Sequence, residues 1–227
     1  MDLSNFYKTD IGINANVLYE TSSKYENSIF VDLGVREGVS SEILMIDAKE
    51  KNNTVYGVDV DFKFLNKNLQ NNTNYKIIKS DSVTLGKNWK DEIDGLFVDT
   101  FHIKEQVLCE LYYWYDYVKP GGFIAFHDTN WPKDKNDKYG GIIWDRVEYA
   151  LYEFFDIEEL YYEDDFIKVT NHPESWGMTL IEIKKKKDYK STISDWSDIF
   201  NKRNKLISLF WNESNSKDIQ IELEINV

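Results

Sequence analysis

Residues 29–41 read IFVDLGVREGVSS, and most of the information about the fold lies in this stretch. Its first three residues, Ile29–Val31, form the short apolar run that is typical of a central strand in a parallel sheet. Gly34 allows a tight turn where the strand ends, and Gly38 removes a side chain where a ligand or the next helix must come close. Ser40 then predicts the capped start of a helix whose free N–H groups face the same crevice. This order of elements indicates an open α/β sheet, in which ligands bind at the strand ends.

Four more apolar strands follow, and each ends in an acidic or polar residue. They cover Thr54–Asp59, Tyr75–Ser82, Ile93–Asp99 and Val118–Asp128. The last of them begins with the turn Lys119-Pro120-Gly121-Gly122. Because the carboxyl ends of parallel strands meet at one edge of a sheet, we expect Asp99 and Asp128 to lie close together. Packing alone does not explain why so many strands end in carboxylates, so the pattern predicts a binding crevice.

The remaining segments complete a doubly wound, Rossmann-like α/β fold with a seven-stranded, mostly parallel sheet. Helices are predicted at 16–25, where the helix covers the bound ligand, and at 41–49, 62–71, 103–117, 140–155 and 194–211. In the stretch 140–155 the apolar residues recur at helical spacing. Two further strands, at 166–170 and 178–184, form a closing hairpin in which the final strand is antiparallel. Lysines 184–187 are predicted to be a solvated linker, and the alternating segment Ile219–Val227 is predicted to be a half-buried strand.

Composition narrows the class of protein. At 227 residues the chain suits one α/β domain with a sizeable core. The formal net charge of −13 argues against a nucleic-acid partner, which calls for a basic face. No apolar run is long enough to span a bilayer, and the first residues lack a signal sequence, so no membrane partner is expected. Cys109 is the only cysteine, which indicates a reducing cytoplasm and excludes a cysteine-rich zinc site.

The glycine loop resembles motif I (acidic-x-Gly-x-x-x-Gly) of the class I S-adenosylmethionine (SAM) methyltransferases. Asp32, Gly34 and Gly38 match the motif, whereas Arg36 stands where the family usually has a middle glycine. The Lys-Pro-Gly-Gly turn before the fifth strand is a further mark of these enzymes. The resemblance implies that SAM is the cofactor. It also implies a set of cofactor-binding residues, namely Asp32, Gly34, Gly38, Ser40, Asp59, Asp81, Ser82 and Asp99.

Three of these residues have expected partners on the cofactor. Asp59 lies about twenty residues after the glycine loop, as a ribose-binding acid should. Its carboxylate can accept hydrogen bonds from both ribose hydroxyls. Asp81 and Ser82 end the third strand and resemble the family's adenine-contacting position. The resemblance therefore implies that the ends of the second and third strands hold the adenosine half of SAM.

The chemistry concentrates in two segments, Phe97–His102 and Phe126–Trp131. The spacing Asp-x-x-His, followed after a helix by Lys-Pro-Gly-Gly and His-Asp, resembles small-molecule O-methyltransferases of the macrocin, catechol and cephalosporin-hydroxylase-like groups. This resemblance implies a divalent ion, Mg²⁺, bound by Asp99 and Asp128, with His102 as third ligand or general base. An alkoxide attacks a methyl carbon far better than an alcohol, and a divalent ion lowers the pKa of a bound hydroxyl. A histidine with an ordinary pKa near ~6.5 can accept the proton.

Each of these residues also has a less specific interpretation. Asp99 serves only the methionine moiety or caps a helix, and His102 only makes a hydrogen bond at the helix start. His127 is expected to lie behind the site, because adjacent strand residues face opposite sides of a sheet. Trp131 and Trp176 either stack on the acceptor or pack within their own loops.

The sequence therefore predicts a SAM-dependent O-methyltransferase that acts on a hydroxyl of a small metabolite, with sugars and glycosylated compounds as candidates. Residues 29–186 form the methyltransferase domain, with an N-terminal cap at 1–28 and a C-terminal extension at 187–227. A nucleotide-cofactor oxidoreductase is the main alternative, against which the missing middle glycine argues, and a non-catalytic SAM-binding scaffold is the other. The strand at 219–227 has no place in the predicted sheet, so a homodimer is slightly favoured over packing on the domain's own edge. The sequence does not identify the acceptor.

Overall fold

The computed structural model describes residues 2–130, 138–139, 142–143 and 147–214, and the side chains of residues 2–130 and 147–210. Two predicted features, the C-terminal strand at 219–227 and the stacking residue Trp131, lie outside the described residues. No helix in the described part of the chain combines the length and the apolar character needed to cross a membrane.

A sheet of eight strands, in the order β3-β2-β1-β4-β5-β10-β9-β8, forms the centre of the described structure. Its strands are β1 (Ile29–Leu33), β2 (Thr54–Asp59), β3 (Tyr75–Lys79), β4 (Ile93–Val98), β5 (Val118–His127), β8 (Tyr162–Glu163), β9 (Ile167–His172) and β10 (Met178–Ile183). The first five are mutually parallel, whereas β10 pairs antiparallel with β5, and β9 and β8 continue antiparallel. A separate hairpin joins β6 (Lys138–Tyr139) and β7 (Ile142–Ile143).

The predicted doubly wound α/β fold is confirmed, with one strand more than expected. β8 is the extra strand, and its two residues are too short a run to produce a recognisable alternating pattern. The strand order reverses direction between β1 and β4, where β1 is flanked by β2 on one side and β4 on the other. In sheets of this type the ligand crevice lies at that reversal, beyond the carboxyl ends of the strands. The glycine loop after β1 therefore lies at the expected place.

The helices differ from the predicted ones at several boundaries. They are α1 (Asn14–Ser22), α2 (Val39–Met45), α3 (Lys67–Gln70), α4 (Ser82–Asn88), α5 (Lys104–Trp114), α6 (Val147–Phe155) and α7 (Trp196–Ser214). The helix predicted at 62–71 shrinks to one turn. The sequence pattern predicts no helix at α4, because it places Asp81 and Ser82 at the end of the preceding strand. In the structure Asp81 is instead the N-cap of α4, and its Oδ1 accepts a hydrogen bond from Thr84 N at 2.8 Å.

Two apolar clusters cover the two faces of the sheet. Helices α1, α2 and α3 pack on one face, where Leu18, Ile43 and Leu69 are buried. Helices α4 to α7 pack on the other face, where Leu108 and Phe154 are fully buried. A sheet buried on both faces explains why its parallel strands are almost continuously apolar.

The segment after β10 is anchored to the domain, and the prediction of a solvated lysine linker is wrong for its second half. Tyr189 is buried in the same apolar cluster as Phe154. The Lys186 ammonium donates a hydrogen bond to the Tyr115 carbonyl and lies 4.2 Å from the centre of the Tyr115 ring. Lys187 lies 4.8 Å from the centre of the Tyr189 ring. These contacts hold the segment before α7 against the domain.

Candidate active site

The glycine loop is pressed against the end of β4. Gly34 has φ +90°, and a Cβ at this position would overlap the carbonyl oxygen of Asp99. The backbone holds this approach, because Asp99 N donates a hydrogen bond to Leu33 O at 2.9 Å. Gly38, directly before α2, has φ +95°, and a Cβ built on it would overlap the side chains of Leu65 and Leu69. Both glycines are therefore required by the backbone conformation, and side chains of the protein already lie close to Gly38.

Asp32 lies behind the loop rather than in the crevice. It is fully buried, and its Oδ2 accepts hydrogen bonds from the hydroxyls of Ser40, at 2.8 Å, and Ser41. Its Oδ1 has no hydrogen-bond partner among the described residues, and burial raises the pKa of the carboxyl to about 7. The structure thus corrects two expectations. Asp32 holds the first turn of α2 instead of facing a ligand, and Ser40 is not the cap, since Gly38 is the N-cap residue of α2.

Asp59 ties the glycine loop to the end of β2. Its Oδ2 accepts a hydrogen bond from Arg36 N at 2.8 Å, and its Oδ1 accepts one from Asp61 N at 3.0 Å. A carboxylate offers about four lone-pair sites, so two of them are still available. The predicted ribose acid therefore keeps the capacity for two further donors, as a pair of ribose hydroxyls would require.

Asp81 and Ser82 are engaged within the protein more than the sequence suggested. Besides capping α4, the Asp81 carboxylate forms an ion pair through Oδ2 with Arg203 of α7. The Ser82 hydroxyl is buried and donates a hydrogen bond to Glu110 Oε1 at 2.5 Å. Burial raises the pKa of Glu110 to about 7, although three side-chain hydrogen bonds oppose the shift. Neither Asp81 nor Ser82 lines the cavity described below.

The ends of β4 and β5 bring two carboxylates onto one imidazole. His102 Nε2 lies 3.0 Å from Asp99 Oδ1 and 3.1 Å from Asp128 Oδ2. Asp128 has φ +57°, a conformation that aspartate and asparagine tolerate better than most residues. This turn directs its side chain back toward Asp99. The expected proximity of Asp99 and Asp128 is therefore present in the structure.

His127 is a member of this cluster that the sequence analysis placed behind the site. Its ring is buried, and Nδ1 lies 3.3 Å from Asp128 Oδ1 and 3.5 Å from Asp99 Oδ2. Burial alone would lower the pKa of His127, but the two carboxylates outweigh it and raise the pKa to about 10. Strand alternation predicts a ring that points into the sheet rather than into the crevice, and the ring is buried. The alternation could not show that the loop bearing Asp99 passes over that ring.

The same contacts set the charge of Asp99. Burial opposes its ionisation, yet the contacts to His102 and His127 outweigh burial and hold the pKa of Asp99 well below its usual range. Asp99 is therefore an anion at neutral pH, flanked by two imidazole rings. An ionised carboxylate is what a cationic ligand or a metal ion requires.

A cavity of about 590 Å³ opens beside the cluster. Volumes of this order are typical of small-molecule and cofactor sites. The predicted site residues Gly34, Ser40, Asp99, His102 and Asp128 line it. The rest of its wall comes from the N-terminal segment, the glycine loop with the start of α2, the loop after β4 and the β9–β10 loop. These contribute Lys8, Thr9, Asp10 and Ile11; Val35, Arg36, Glu37 and Val39; Thr100; and Trp176, respectively. The segment before α1, rather than α1 itself, thus borders the crevice.

The donor atoms of Asp99, His102 and Asp128 fit a divalent cation. One ligand atom from each residue lies within 4.8 Å of the other two. In an octahedral site with bonds of about 2.1 Å, neighbouring ligand atoms are about 3 Å apart. The distances of 3.0 and 3.1 Å from His102 Nε2 to the two carboxylates match that spacing. Two carboxylates with one imidazole suit Mg²⁺ or Mn²⁺ better than a soft metal ion.

Comparison with protein families matches one part of the chain. Residues 31–129 match the model of a family described as a methyltransferase domain. The matched segment runs from β1 to the residue after Asp128, and so contains both the glycine loop and the acidic cluster. No curated protein matches the sequence. The family match favours the predicted methyltransferase over the predicted alternative of an oxidoreductase.

Solved structures share the fold at low sequence identity. The SAH-bound methyltransferase PaMTH1 of Podospora anserina is 15% identical, with a TM-score of 0.57, over 76% of this chain and 78% of that chain. A putative caffeoyl-CoA O-methyltransferase of Staphylococcus aureus is 12% identical, with a TM-score of 0.56, over 75% and 83%. CalS11, a TDP-rhamnose 3′-O-methyltransferase of calicheamicin biosynthesis, is 14% identical, with a TM-score of 0.54, over 75% and 77%. These similarities show a common fold, and the acceptors of the neighbours differ.

Proposed function

We propose that this chain is a SAM-dependent methyltransferase that methylates a hydroxyl of a small metabolite, and its fold and the family match of residues 31–129 support this proposal. The observation that carries the proposal is the position of the cluster of Asp99, His102 and Asp128. These three residues line the same cavity as Gly34 of the glycine loop. The groups for activating an oxygen and for holding the methyl donor therefore face one space.

The chemistry of the acceptor explains why such a cluster is needed. Methyl transfer is an in-line displacement, so its rate depends on a nucleophilic oxygen held in the right direction. The hydroxyl of a sugar is hardly ionised at neutral pH and is a poor nucleophile until its proton is lost. A divalent ion bound by Asp99, Asp128 and His102 supplies a Lewis acid that lowers the pKa of a bound hydroxyl.

His102 is proposed either as the third ligand of the ion or as the general base. Its Nε2 is the nitrogen that faces both carboxylates, at 3.0 and 3.1 Å. If Nε2 is a metal ligand, it has no lone pair left to accept the proton of the acceptor. If His102 is the general base, Asp99 and Asp128 orient the ring and stabilise its protonated form. Dependence of the activity on a divalent ion distinguishes the two roles.

The cofactor site is proposed along the glycine loop. Gly34 and Ser40 line the cavity, and Asp59 has lone pairs available for the ribose hydroxyls. SAM supplies the methyl group on a cationic sulfur. The anionic Asp99 at the cavity wall favours a cation in this position. Asp32, which is buried behind the loop, contributes by holding α2 in place.

The acceptor is proposed to bind between the N-terminal segment and the β9–β10 loop. Trp176 lines this part of the cavity and is 38% exposed, and an indole ring is a suitable surface for a sugar to pack on. A sugar or a glycosylated compound suits such a wall, because its C–H face can pack on an indole ring while its hydroxyls point to the carboxylates. The TDP-rhamnose 3′-O-methyltransferase with the same fold supports this acceptor class.

A product assay tests the proposal. The full chain is incubated with SAM, Mg²⁺ and a panel of nucleotide sugars, free glycosides and catechols, and the products are analysed by mass spectrometry. We expect at least one hydroxylated acceptor to gain one methyl group on oxygen, with release of S-adenosylhomocysteine (SAH). Binding of SAH without transfer to any hydroxyl compound, or transfer to nitrogen or carbon only, would contradict the proposal.

A further inference from the structure

Helix α7, which lies beyond the domain matched by the family model, packs along the site with one face. Trp196 and Phe200 pack against Tyr112 of α5, with ring centres 4.6 and 5.4 Å apart. Arg203 lies on the same side, two turns before Phe210.

Arg203 reaches the end of β3 through a buried polar contact. It is only 8% exposed, and its guanidinium forms the ion pair with Asp81 Oδ2. Its Nε donates a hydrogen bond to Gln106 Oε1 at 2.8 Å. A guanidinium is a planar group with fixed donor directions, so two partners on two elements fix its orientation. Arg203 therefore joins α7 to both the α4 cap and α5.

The contacts continue from Gln106 to the wall of the cavity. Gln106 Nε2 donates hydrogen bonds to Ser82 Oγ, at 3.0 Å, and to Glu110 Oε1, at 2.7 Å. The other carboxylate oxygen of Glu110 accepts a hydrogen bond from Thr100 Oγ1 at 3.0 Å. Thr100 follows Asp99 and lines the cavity. A continuous buried network thus connects Arg203 with the loop that carries the acidic cluster.

A second contact of α7 is independent of this network. The ring of Phe210 meets the ring of Phe101 edge to face, with centres 4.8 Å apart. Phe101 stands between Thr100 and His102 in the same loop. Helix α7 therefore contacts two segments: Arg203 contacts the end of β3, and Phe210 contacts the loop after β4.

We propose that α7 completes the cofactor site, and that Arg203 is a positioning residue that orients Asp81 toward the adenine amine of SAM. The inference rests on the proposed function, because it takes the end of β3 as the adenine side. Thr84 donates two hydrogen bonds to Asp81 Oδ1, and Arg203 holds Oδ2. With about four lone-pair sites on a carboxylate, one acceptor site is left for a ligand. The ion pair with Arg203 determines the direction of that site.

The test compares two cofactor products that differ at one group. SAH carries the adenine amine, and S-inosylhomocysteine carries an oxo group in its place. Their Kd values are measured by calorimetry for the full chain and for Arg203→Met, which keeps the alkyl stem and removes the donors. Lys202→Met is the matched control, because Lys202 is exposed on the same helix and pairs only with Asp198 among the described residues.

We expect the unaltered chain and Lys202→Met to prefer SAH by about tenfold or more, as a hydrogen bond to a charged group implies. Arg203→Met should lose most of this preference. Because the ratio is taken within one variant, partial loss of folded protein weakens both affinities alike and does not mimic the effect. The double variant Arg203→Met/Asp81→Asn should resemble Asp81→Asn alone, since Arg203 acts through Asp81.

The outcomes separate this inference from the proposed function. Failure of the unaltered chain to bind SAH at all contradicts the cofactor assignment itself. Binding of SAH with equal affinity for the inosine analogue overturns the adenine-side inference and leaves the methyltransferase intact. Full retention of the preference in Arg203→Met also overturns it, because Asp81 would then need no partner on α7.

Discussion

The Nε2 atom of His102 lies 3.1 Å from Oδ2 of Asp128, although the two residues follow different strands of the sheet. The same nitrogen lies 3.0 Å from Asp99 Oδ1, and the cavity opens beside all three residues. A positive φ at Asp128 and the close approach of the Gly34 loop to Asp99 produce this arrangement. The reactive groups are therefore positioned by the backbone at the strand ends.

Replacement of Asp128 by asparagine should reduce methyl transfer with little effect on folding. Asparagine has nearly the same shape and tolerates the left-handed backbone at this position, so the main change is the loss of one negative charge. We expect kcat to fall by about 10²–10⁴-fold, the usual contribution of a positioned acid–base or charged group. The Kd of SAH should change by less than about threefold, which is a small free-energy change. Asp165→Asn is the control, because Asp165 does not line the cavity. A normal kcat in Asp128→Asn would refute the role of Asp128 in methyl transfer.

Replacement of Gly34 by alanine should unfold the loop and abolish SAH binding. Two effects add, because φ is +90° and the new Cβ would overlap the Asp99 carbonyl. Gly121→Ala is the matched control: its φ is +84°, but none of the described atoms lies within 4 Å of a Cβ built there. Backbone strain alone should cost Gly121→Ala about 1–3 kcal/mol of unfolding free energy. Gly34→Ala should lose clearly more in urea denaturation, and equal losses would contradict the close approach.

Replacement of Glu110 by glutamine should flatten the pH dependence of stability. Burial raises the pKa of Glu110 from 4.5 to about 7, against the opposing hydrogen bonds of Ser82, Gln106 and Thr100 and the charge of Arg203. The folded state then binds more protons than the unfolded state between about pH 4.5 and 7, so the unfolding free energy falls as the pH rises through this window. The contribution lost is on the order of 3 kcal/mol at most.

Urea unfolding at pH 5 and pH 8 measures this effect for both proteins. Glu110→Gln lacks the titrating group, so its free energy of unfolding should fall less between the two pH values than that of the unaltered chain. The raised pKa of Asp32 acts on both proteins and cancels in the comparison. Parallel pH profiles would show that Glu110 does not titrate in this window.

Replacement of Trp176 by alanine should weaken acceptor binding selectively. Trp176 lines the cavity from the β9–β10 loop. We expect the KM of the acceptor to rise by about tenfold, in line with the loss of a stacking aromatic contact. The Kd of SAH should stay the same. Phe64→Ala removes an exposed ring that does not line the cavity and serves as control; equal kinetics in both variants would remove Trp176 from the acceptor site.

The sequence predicted those parts of the site that lie at the ends of strands. Apolar runs ending in carboxylates identified β1 to β5, and parallel strand ends necessarily bring Asp99 and Asp128 to one edge. What the pattern could not show were contacts between distant segments. Arg203 meets Asp81 across more than a hundred residues, and no local spacing indicates such a pair. The homodimer through residues 219–227 stays a prediction, because that segment lies outside the described residues.

Asp32 and Asp81 illustrate a second limit. Both are acids at strand ends, and the family resemblance assigned both to the cofactor. In the structure Ser40 and Ser41 engage Asp32 from the following helix, and α4 begins at Asp81. An acid before a helix is a good ligand for a cofactor and an equally good partner for the helix N-terminus. The sequence does not show that Ser40 and Ser41 engage Asp32, or that Asp81 caps α4 and still has one acceptor site left.

Divalent-ion dependence of methyl transfer tests the central claim most directly. The full chain is assayed with SAM and a hydroxylated acceptor after treatment with a chelator, and again after Mg²⁺ or Mn²⁺ is restored. We predict that the chelator abolishes transfer, that the ion restores it, and that Asp128→Asn is not restored, because the proposed site needs Asp99, His102 and Asp128 together. Undiminished transfer in the presence of the chelator would contradict the metal site and would leave His102 as a general base.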